Sequence, residues 1–367
     1  MTTLLELPTP ALVVDVDRLE RNIARMAGAF AAAGVALRPH AKTSKCLEVV
    51  RRQLTAGAGG MTCSTPAEVA WLRAAGVADL LWAHAPVGPA KVAFVVAAAS
   101  DGGGLTVALD SLEAARPLSH AAAAAGVTVP FVLEVNTGHA RLGVDPERVM
   151  STAAALSALP GLRLRGLLTH EGHLATMPDR PSLEAAGRAA GDLLAALAAQ
   201  LRAAGHAIDI VSVGSTPGAT SAPFAPGVTE GRPGTYVYYD ANQIRLGSCT
   251  IDDCALTVLA RVVSVQRPGR PIIDAGIKAM SSDTIAAAGS VGLVCHPDNA
   301  RRPGVTFADA NEEHGFLLDD DGDDRLAVGD VVRLVPNHAC GTTNMWSHLY
   351  AVRGDEVLDR WEISARY

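Results

Sequence analysis

The hydrophobic and polar positions of the chain follow two patterns, and the change between them falls near residue 240. Before that point, short apolar runs rich in β-branched residues alternate with longer Ala, Leu and Arg segments of helical spacing. This alternation is typical of repeated βα units, whose strands form a parallel sheet. After residue 240 the helical spacing disappears, and turn residues separate the apolar runs instead. We therefore expect a βα domain at residues 1–240 and a separate β domain at residues 241–367.

The βα region contains eight predicted strands, which is the number in a closed (β/α)₈ barrel. These strands are predicted at residues 35–40, 61–65, 79–84, 105–110, 130–135, 164–170, 210–215 and 235–240. Helices between them, several of which open with Ser or Pro and close on Gly, are predicted at residues 44–57, 66–76, 111–126 and 182–205. An earlier strand at 11–17 and a helix at 17–33 are interpreted as a lead-in. The predicted fold is an α/β protein, a (β/α)₈ TIM-type barrel with a C-terminal β domain.

The composition favours a folded protein whose partner is a small molecule. With 49% hydrophobic and 19% charged residues, the 367-residue chain is too apolar to be disordered. A net charge of −7 without a basic run argues against binding to nucleic acid or to an anionic membrane. The N-terminus lacks the basic start of a signal peptide, and no uncharged apolar stretch reaches the ~18–20 residues of a membrane span. Six scattered cysteines without CxxC pairs indicate a reducing compartment, so we expect a cytoplasmic protein.

Polar residues follow several predicted strands, at the end of a barrel where active sites are built. Lys42 comes just after the first strand, where a lysine can serve as a Schiff-base amine, although its position alone favours a surface lysine in a loop. Arg141 follows the fifth strand, and His170 ends the sixth. Taken separately, Arg141 could pair with Glu134 and His170 could be a core histidine.

Two glycine-containing segments flank the last two predicted strands. Gly214, Ser215 and Thr216 follow the seventh strand, and the run GRPGTY at residues 231–236 leads into the eighth. Barrels commonly bind a phosphate at the loops of these strands, although a Gly-Ser-Thr sequence fits a tight turn equally well. A lysine, an arginine, a histidine and a phosphate cradle together are what a phosphorylated carbonyl cofactor bound as an imine requires. Pyridoxal phosphate is the candidate.

Seven short motifs, in this order, carry a resemblance to a known family. They are RPHAKTSK, NTGHARLGV, LLTHEGH, VSVGSTPG, GRPGTYVYYD, NEEHG and PNHAC. The chain resembles the fold-type III pyridoxal-phosphate enzymes, which have an alanine racemase-like barrel, from about Thr9 to the closing WEISAR. Within them it resembles the group of D-serine dehydratases, D-threonine aldolases and 3-hydroxy-D-aspartate dehydratases. The NEEHG motif, which contains Glu313 and His314, has no role that the sequence assigns.

The resemblance implies a role for most of the candidate residues. Lys42 would form the imine with the cofactor and take the proton from the substrate Cα. Arg141 would lie beside the phenolic oxygen of the cofactor, and His170 would stack on its pyridine ring. Arg232 corresponds by its RPG context to the arginine that faces the pyridine nitrogen in alanine racemases. The remaining implied cofactor-binding residues, most of them at the phosphate, are Gly214, Ser215, Thr216, Gly234, Thr235 and Tyr236.

A candidate metal site lies in the β domain. His338 and Cys340 end a predicted strand at i and i+2, so both side chains are expected on one face of an extended segment. A bare His-x-Cys pair is more often a buried cysteine beside an unrelated histidine, but the resemblance associates this pair with zinc dehydratases and His-x-Asp with D-threonine aldolases. Imidazole and thiolate favour zinc over manganese or magnesium. Two protein ligands leave positions open for water and a substrate oxygen.

The expected function is that of a pyridoxal-phosphate- and metal-dependent lyase of D-3-hydroxy amino acids. The favoured hypothesis is dehydration of D-serine, D-threonine or 3-hydroxy-D-aspartate to a 2-oxo acid and ammonia. The alternative is a D-threonine aldolase, which the WEISAR ending resembles and which would release glycine and an aldehyde. A racemase would need a second base, and neither Tyr350 nor Tyr367 lies in a racemase-like context. A non-enzymatic cofactor carrier would lack the second domain. By analogy we expect a homodimer.

Overall fold

The computed structural model describes residues 2–283, 290–320, 322 and 325–366. Its contacts divide the chain into two compact units that are interleaved in sequence. Unit 1 comprises Met1–Arg25, Thr43–Arg52 and Thr235–Arg366, and unit 2 comprises Met26–Lys42 and Gln53–Gly234. The domain boundary expected at residue 240 remains a prediction about domain organisation.

The strands fall into two sheets, one in each unit. In chain order the strands are β1 (Ala11–Asp15), β2 (Ala36–Leu37), β3 (Met61–Cys63), β4 (Leu80–Trp82), β5 (Leu105–Leu109), β6 (Val129–Glu134), β7 (Leu162–Leu168), β8 (Ile210–Val213), β9 (Glu230–Gly231), β10 (Leu256–Ser264), β11 (Ile272–Ile273), β12 (Gly292–Cys295), β13 (Arg301–Ala310), β14 (Gly315–Asp319), β15 (Val331–Pro336), β16 (His348–Arg353) and β17 (Glu356–Glu362).

The α-helices connect these strands, and most of them lie in the first two thirds of the chain. In order they are α1 (Val16–Ala33), α2 (Leu47–Thr55), α3 (Pro66–Ala74), α4 (Pro89–Ser100), α5 (Leu112–Ala124), α6 (Val149–Ser157), α7 (Arg180–Ala203), α8 (Ala241–Arg245), α9 (Ile277–Met280) and α10 (Ala339–Met345). The four inter-strand helices predicted from sequence are α2, α3, α5 and α7, with ends displaced by at most three residues. Among the helices described, none has the length and apolar character needed to cross a bilayer.

Unit 2 is the predicted (β/α)₈ barrel. Eight parallel strands are hydrogen-bonded in the order β2-β9-β8-β7-β6-β5-β4-β3. A bridge between His40 and Thr62 joins the two ends of this sheet, and the Ala41 amide donates to the Thr62 carbonyl at 2.9 Å. A cluster of buried residues comes from five of the strands: Leu81, Ala108, Val132, Leu168 and Ile210. The predicted fold class is therefore confirmed.

The eighth barrel strand is not the one predicted. It is β9, which pairs with β2 and β8, whereas residues 235–240 contain a short 3₁₀ helix. Two features are incompatible with an extended ladder there: the Tyr238 and Tyr239 amides both donate to the Thr235 carbonyl, and Tyr239 has a φ of 50°, outside the strand region. Tyr236 and Tyr238 are fully buried, so the aromatic composition that suggested a strand reflects packing in a different backbone conformation.

Unit 1 contains a nine-stranded sheet in the order β11-β14-β13-β12-β15-β10-β1-β16-β17. Its strands pair antiparallel except for β1 and β16, which are parallel. The strand β1, which the sequence indicated as a lead-in, is an internal strand of this second sheet. Its first four residues are all buried, as expected for a strand with neighbours on both sides.

Gly166 provides a test of the close packing between β7 and β8. A Cβ at this position would lie 1.9 Å from the Ile210 carbonyl oxygen, so a side chain requires the backbone to move. We expect Gly166→Ala to lower the free energy of unfolding by about 3 kcal/mol, measured by urea denaturation. The control is Gly28→Ala in α1, where a Cβ would meet nothing within 4 Å and helix propensity should raise stability by about 0.5–1 kcal/mol. Equal stability of the two variants would contradict the prediction.

Candidate active site

The candidate cofactor residues of unit 2 lie in loops at the C-terminal ends of barrel strands. Lys42 follows β2, Arg141 follows β6 and His170 follows β7. Arg141 and His170 line one crevice, and the charges of Lys42 and Arg141 both act on the His170 ring. Within the described residues the Arg141 guanidinium makes no ion pair with Glu134 or any other carboxylate. The ion pair that the sequence left open is therefore not formed, although the charge of Arg141 still lowers the pKa of the buried Glu134.

His170 is held as a neutral imidazole. Its Nδ1 lies 2.6 Å from the carbonyl oxygen of Gly214, and because a carbonyl only accepts, Nδ1 carries the proton. Burial lowers the pKa of His170 to about 3, and the charges of Lys42, Arg141 and Arg232 act in the same direction. The ring therefore presents an uncharged face, with Nε2 as its unprotonated nitrogen.

The His170 ring packs against a second histidine from the neighbouring loop. The His139 ring meets it edge-on, with centroids 5.5 Å apart and planes at 84°. A Cβ on Gly172 would lie 2.5 Å from the His139 ring, and a Cβ on Gly138 would lie 3.2 Å from the His173 ring. Each Gly-His dipeptide thus leaves room for the histidine of the other loop. Sequence reasoning quoted both dipeptides and missed their reciprocal packing.

Gly214 is fixed by two neighbouring residues of the preceding loop. Its amide donates to Glu171 Oε1 at 3.0 Å, and its carbonyl accepts from His170. Glu171 is fully buried, and this burial raises the pKa of its carboxyl group. The Gly214 amide is thus engaged within the protein, although the sequence suggested that this residue holds the phosphate. Glu171 lies in the quoted motif LLTHEGH, but nothing in its spacing indicated the contact.

Ser215 and Thr216 retain the polar groups that a phosphate requires. The Thr216 hydroxyl is buried, and no hydrogen-bond partner for it is found among the described residues. Ser215 Oγ accepts from the Gly218 amide at 3.1 Å, and the Ser215 hydroxyl also hydrogen-bonds the buried Glu171 carboxyl and lowers its pKa. An unsatisfied buried hydroxyl costs about 1–3 kcal/mol, and an anion bound beside it would remove that cost. These residues therefore fit the phosphate group of the cofactor.

Arg232 lies in the interior of the barrel. Its side chain is 5% exposed and donates to the Thr169 carbonyl at 2.6 Å and to the Ser212 hydroxyl. Burial lowers its pKa, while the nearby carboxylates of Glu230, Glu171 and Glu134 oppose that shift. A Cβ on Gly214 would be 2.8 Å from the guanidinium, so Arg232 reaches the loop after β8. Gly234, the next predicted cofactor residue, is buried in the segment after β9.

Unit 1 contains the other two predicted cofactor residues and the predicted metal ligands. Tyr236 is fully buried, and Thr235 Oγ1 lies 3.8 Å from Cys340 Sγ. The prediction that His338 and Cys340 share a strand face was wrong, because β15 ends at Pro336 and His338 caps the start of α10. The helix begins there because Asp240 Oδ2 accepts the Ala339 amide at 2.9 Å.

His338 and Cys340 nevertheless lie together. A hydrogen bond to Cys340 is the main cause that raises the pKa of His338 to about 9. The Thr43 hydroxyl lies 3.2 Å from Cys340 Sγ, and the Asp283 carboxylate lies 3.0 Å from His338 Nδ1. No group of three or more His, Cys, Asp or Glu residues suited to a metal occurs in the described ranges, so the donor set is a pair. An imidazole and a thiolate fit a soft or borderline cation that keeps open coordination positions.

The two parts of the chain match two known families. Residues 14–242 match the alanine racemase N-terminal domain, and residues 255–352 match a serine dehydratase domain. The chain belongs to the fold-type III pyridoxal-phosphate enzymes. Two curated relatives of this family are an aldolase and a dehydratase. D-threo-3-hydroxyaspartate dehydratase from Delftia sp. (strain HT23) is 38% identical over 98% of this chain and 98% of its own length. D-threonine aldolase from Arthrobacter sp. is 35% identical over 98% of this chain and 92% of its own length.

Solved structures give the same result. The Delftia sp. HT23 dehydratase has a TM-score of 0.93 to this fold, at 37% identity and with 99% of both chains covered. A D-threo-3-hydroxyaspartate dehydratase variant in which alanine replaces a cysteine, in the metal-free form, also has a TM-score of 0.93, at 36% identity and with 99% of both chains covered. The relatives are pyridoxal-phosphate-dependent dehydratases and aldolases, which are all lyases. This protein is a pyridoxal-phosphate-dependent lyase.

The neutral state of His170 can be measured directly. Its pKa of about 3 lies below the ordinary value of 6.5, so the folded protein holds the neutral ring while the unfolded chain binds a proton. The resulting contribution to stability is complete above pH 6.5 and is lost as the pH falls toward 3. We expect the His170 ring nitrogens to show no titration between pH 5 and 8 in ¹⁵N NMR spectra of the cofactor-free protein. The His170→Asn variant identifies the signals, and a midpoint near pH 6.5 would contradict the prediction.

Proposed function

We propose that this lyase dehydrates a D-3-hydroxy amino acid, such as D-threo-3-hydroxyaspartate or D-serine, to a 2-oxo acid and ammonia. The observation that carries the proposal is the pairing of the Cys340 thiol with the His338 imidazole beside the Thr43 hydroxyl. The full-length similarity to the Delftia dehydratase supports it.

The barrel residues would bind the cofactor and move the substrate proton. Pyridoxal phosphate, when bound, withdraws electrons from the bonds at the substrate Cα. Lys42 is the attachment residue in the proposal, and its Nζ takes the Cα proton. Arg141 would lie beside the phenolic oxygen, and the neutral His170 would stack on the ring. Arg232 would face the pyridine nitrogen, while Ser215 and Thr216 would bind the phosphate.

Gly214, Gly234, Thr235 and Tyr236 complete the proposed cofactor set. The Gly214 amide already donates to Glu171, so the proposed contribution of Gly214 is close backbone approach, which a side chain would block. The Thr235 hydroxyl lies 3.8 Å from Cys340 Sγ. Thr235 would therefore lie next to both the cofactor and the proposed metal pair.

His338 and Cys340 would hold the metal ion that the elimination needs. Zinc, when bound, acts as a Lewis acid toward a hydroxyl oxygen. The thiolate of Cys340 favours zinc over magnesium and manganese, which prefer oxygen ligands. Thr43 directly follows Lys42 in the chain and places its hydroxyl 3.2 Å from Cys340 Sγ, where it can donate to the thiolate.

The proposed elimination balances without an external oxidant or reductant. The electrons of the Cα–H bond form the Cα–Cβ double bond, and the proton goes to Lys42 Nζ. The Cβ–O bond breaks, and its oxygen leaves as water after gaining a proton. The resulting enamino acid is hydrolysed to the 2-oxo acid and ammonia.

A second candidate is retro-aldol cleavage to glycine and an aldehyde. The 35% identity to the Arthrobacter aldolase over nearly the full length favours it. In that reaction the β-hydroxyl of the substrate would lose its proton and become the aldehyde oxygen. The Cα–Cβ bond would break in place of the Cβ–O bond, and Cα would keep its electrons and gain a proton to give glycine. The two activities therefore differ in the bond that is cleaved and can be separated by their products.

We propose that the protein is cytoplasmic and acts on a small molecule. A net charge of −7 and cysteines without disulfides support a cytoplasmic enzyme that binds neither nucleic acid nor membranes. We propose that it functions as a homodimer, with a barrel domain at residues 1–240 and a β domain at residues 241–367.

Replacement of Lys42 tests the proposed attachment of the cofactor. We expect Lys42→Ala to lose the visible absorbance of bound pyridoxal phosphate and all turnover, because the amine that holds the cofactor and takes the proton is gone. The control is Lys278→Ala, an exposed lysine that is paired with Glu313 at 2.8 Å and should leave both properties unchanged. Turnover that survives in Lys42→Ala would refute the assignment.

Product analysis separates dehydration from cleavage. Incubation with D-serine, D-threonine and D-threo-3-hydroxyaspartate should yield 2-oxo acid and ammonia in equal amounts, quantified separately from glycine. Treatment with EDTA should remove this activity, and added zinc should restore it, because the hydroxyl is a poor leaving group without the Lewis acid. Glycine as the sole product would establish the aldolase instead, and indifference to EDTA would argue for a metal-free reaction.

A further inference from the structure

The His338 imidazole has a carboxylate partner that the sequence did not indicate. Asp283 Oδ2 lies 3.0 Å from His338 Nδ1, and because a carboxylate only accepts, Nδ1 carries the proton of this hydrogen bond. We propose that Asp283 is a positioning residue for the metal ligand His338. Its carboxylate fixes the tautomer and the rotation of the ring so that Nε2 is the nitrogen offered to the metal. This inference rests on the proposed function for the presence of the metal.

Asp283 is held in place by the residues that flank the metal pair. The side-chain amide of Asn337, one residue before His338, donates to the Asp283 carbonyl at 2.9 Å and to the Ser290 carbonyl at 2.8 Å. A Cβ on Gly341, one residue after Cys340, would lie 2.7 Å from Asp283 Oδ2. Asn337 thus holds the Asp283 backbone, and Gly341, which has no side chain, leaves room for the Asp283 carboxylate.

The chain that leads to Asp283 is also fixed. The Thr342 hydroxyl in α10 donates to the Met280 carbonyl, and Ser281 Oγ accepts the Asp283 amide at 3.3 Å. Helix α9, which precedes this turn, begins where the Ile277 amide donates to the Asn311 carbonyl at 2.8 Å. Asn311 opens the NEEHG motif, so part of this motif supports the segment that carries Asp283.

Stability alone does not explain the Asp283–His338 pair. The two side chains are 50% and 49% exposed, and ion pairs with this exposure contribute little to folding. Asp283 also does not form a three-ligand metal site with His338 and Cys340, because the described ranges contain no group of three suitable side chains. A carboxylate bonded to the outer nitrogen of a ligating histidine orients the ring and strengthens its donor nitrogen. Removal of such partners typically weakens metal binding about 10- to 100-fold.

The test measures zinc affinity in the full-length protein loaded with pyridoxal phosphate. Zinc is titrated against a chromophoric chelator in the wild type and in Asp283→Ala, Asp283→Asn and Asp17→Ala. Asp17 is the matched control, because it is 50% exposed and paired with Arg353 at 2.9 Å in the same unit. We expect the dissociation constant for zinc to rise about 10- to 100-fold in Asp283→Ala. A smaller rise is expected in Asp283→Asn, whose amide oxygen still accepts, and none in Asp17→Ala.

The cofactor absorbance and the unfolding transition show whether each variant is folded. If Asp283→Ala loses them, Asp283→Asn, which preserves the shape of the side chain, decides the question. Zinc affinity in folded Asp283 variants equal to that of Asp17→Ala would overturn the positioning role. If the wild type itself binds no zinc, or His338→Ala binds it equally well, the metal site of the proposed function fails instead.

Discussion

The barrel depends on the neutralisation of a buried positive charge, the guanidinium of Arg232. This group donates to Ser212 Oγ, which in turn donates to Glu230 Oε1 at 2.6 Å, and Glu230 Oε2 accepts from Arg38 Nε at 2.9 Å. Removing one partner from such a buried network leaves an uncompensated charge and typically costs about 3–5 kcal/mol. The barrel interior beneath the C-terminal loops is therefore stable only when the buried arginines are paired with buried carboxylates.

The same guanidinium orders the proposed cofactor site. Its charge offsets that of Glu171, which accepts the Gly214 amide, and Gly214 in turn accepts from His170. The absence of a side chain at Gly214 lets the guanidinium approach its backbone. The tautomer of His170 therefore depends on a chain of contacts that begins with Arg232. Its neutral state has a different cause, because burial and the positive charges of Lys42, Arg141 and Arg232 lower the pKa of the ring.

The limits of sequence reasoning are visible in individual segments. The run at 105–110 was predicted correctly as a strand because it is short, apolar on both faces and bounded by turn residues. The run at 235–240 was also predicted as a strand, but its Tyr238 and Tyr239 amides donate to the Thr235 carbonyl and Tyr239 has a positive φ, so no ladder forms there. The strand β1 was recognised as a lead-in strand, but its place between β10 and β16 was not predicted. Sheet membership depends on partners such as β10 and β16, which lie hundreds of residues away and leave no local pattern.

In the candidate site, residues with a proposed chemical role could be predicted from the sequence, whereas the residues that hold them in place could not. His338 and Cys340 could be predicted, because a short spacing of two metal-binding side chains is itself a signal. Thr43 lies 297 residues from its partner Cys340, and Asp283 lies 55 residues from its partner His338. Asp240, which accepts the amide of the intervening Ala339, lies 99 residues from it, and no periodicity links these positions. A hydrogen-bond partner from a remote segment is a single residue without a surrounding motif, so it can be recognised only in the folded chain. The geometry of the proposed metal pair is for this reason a property of the folded unit 1, which includes Thr43 and Asp240, and not of the PNHAC motif alone.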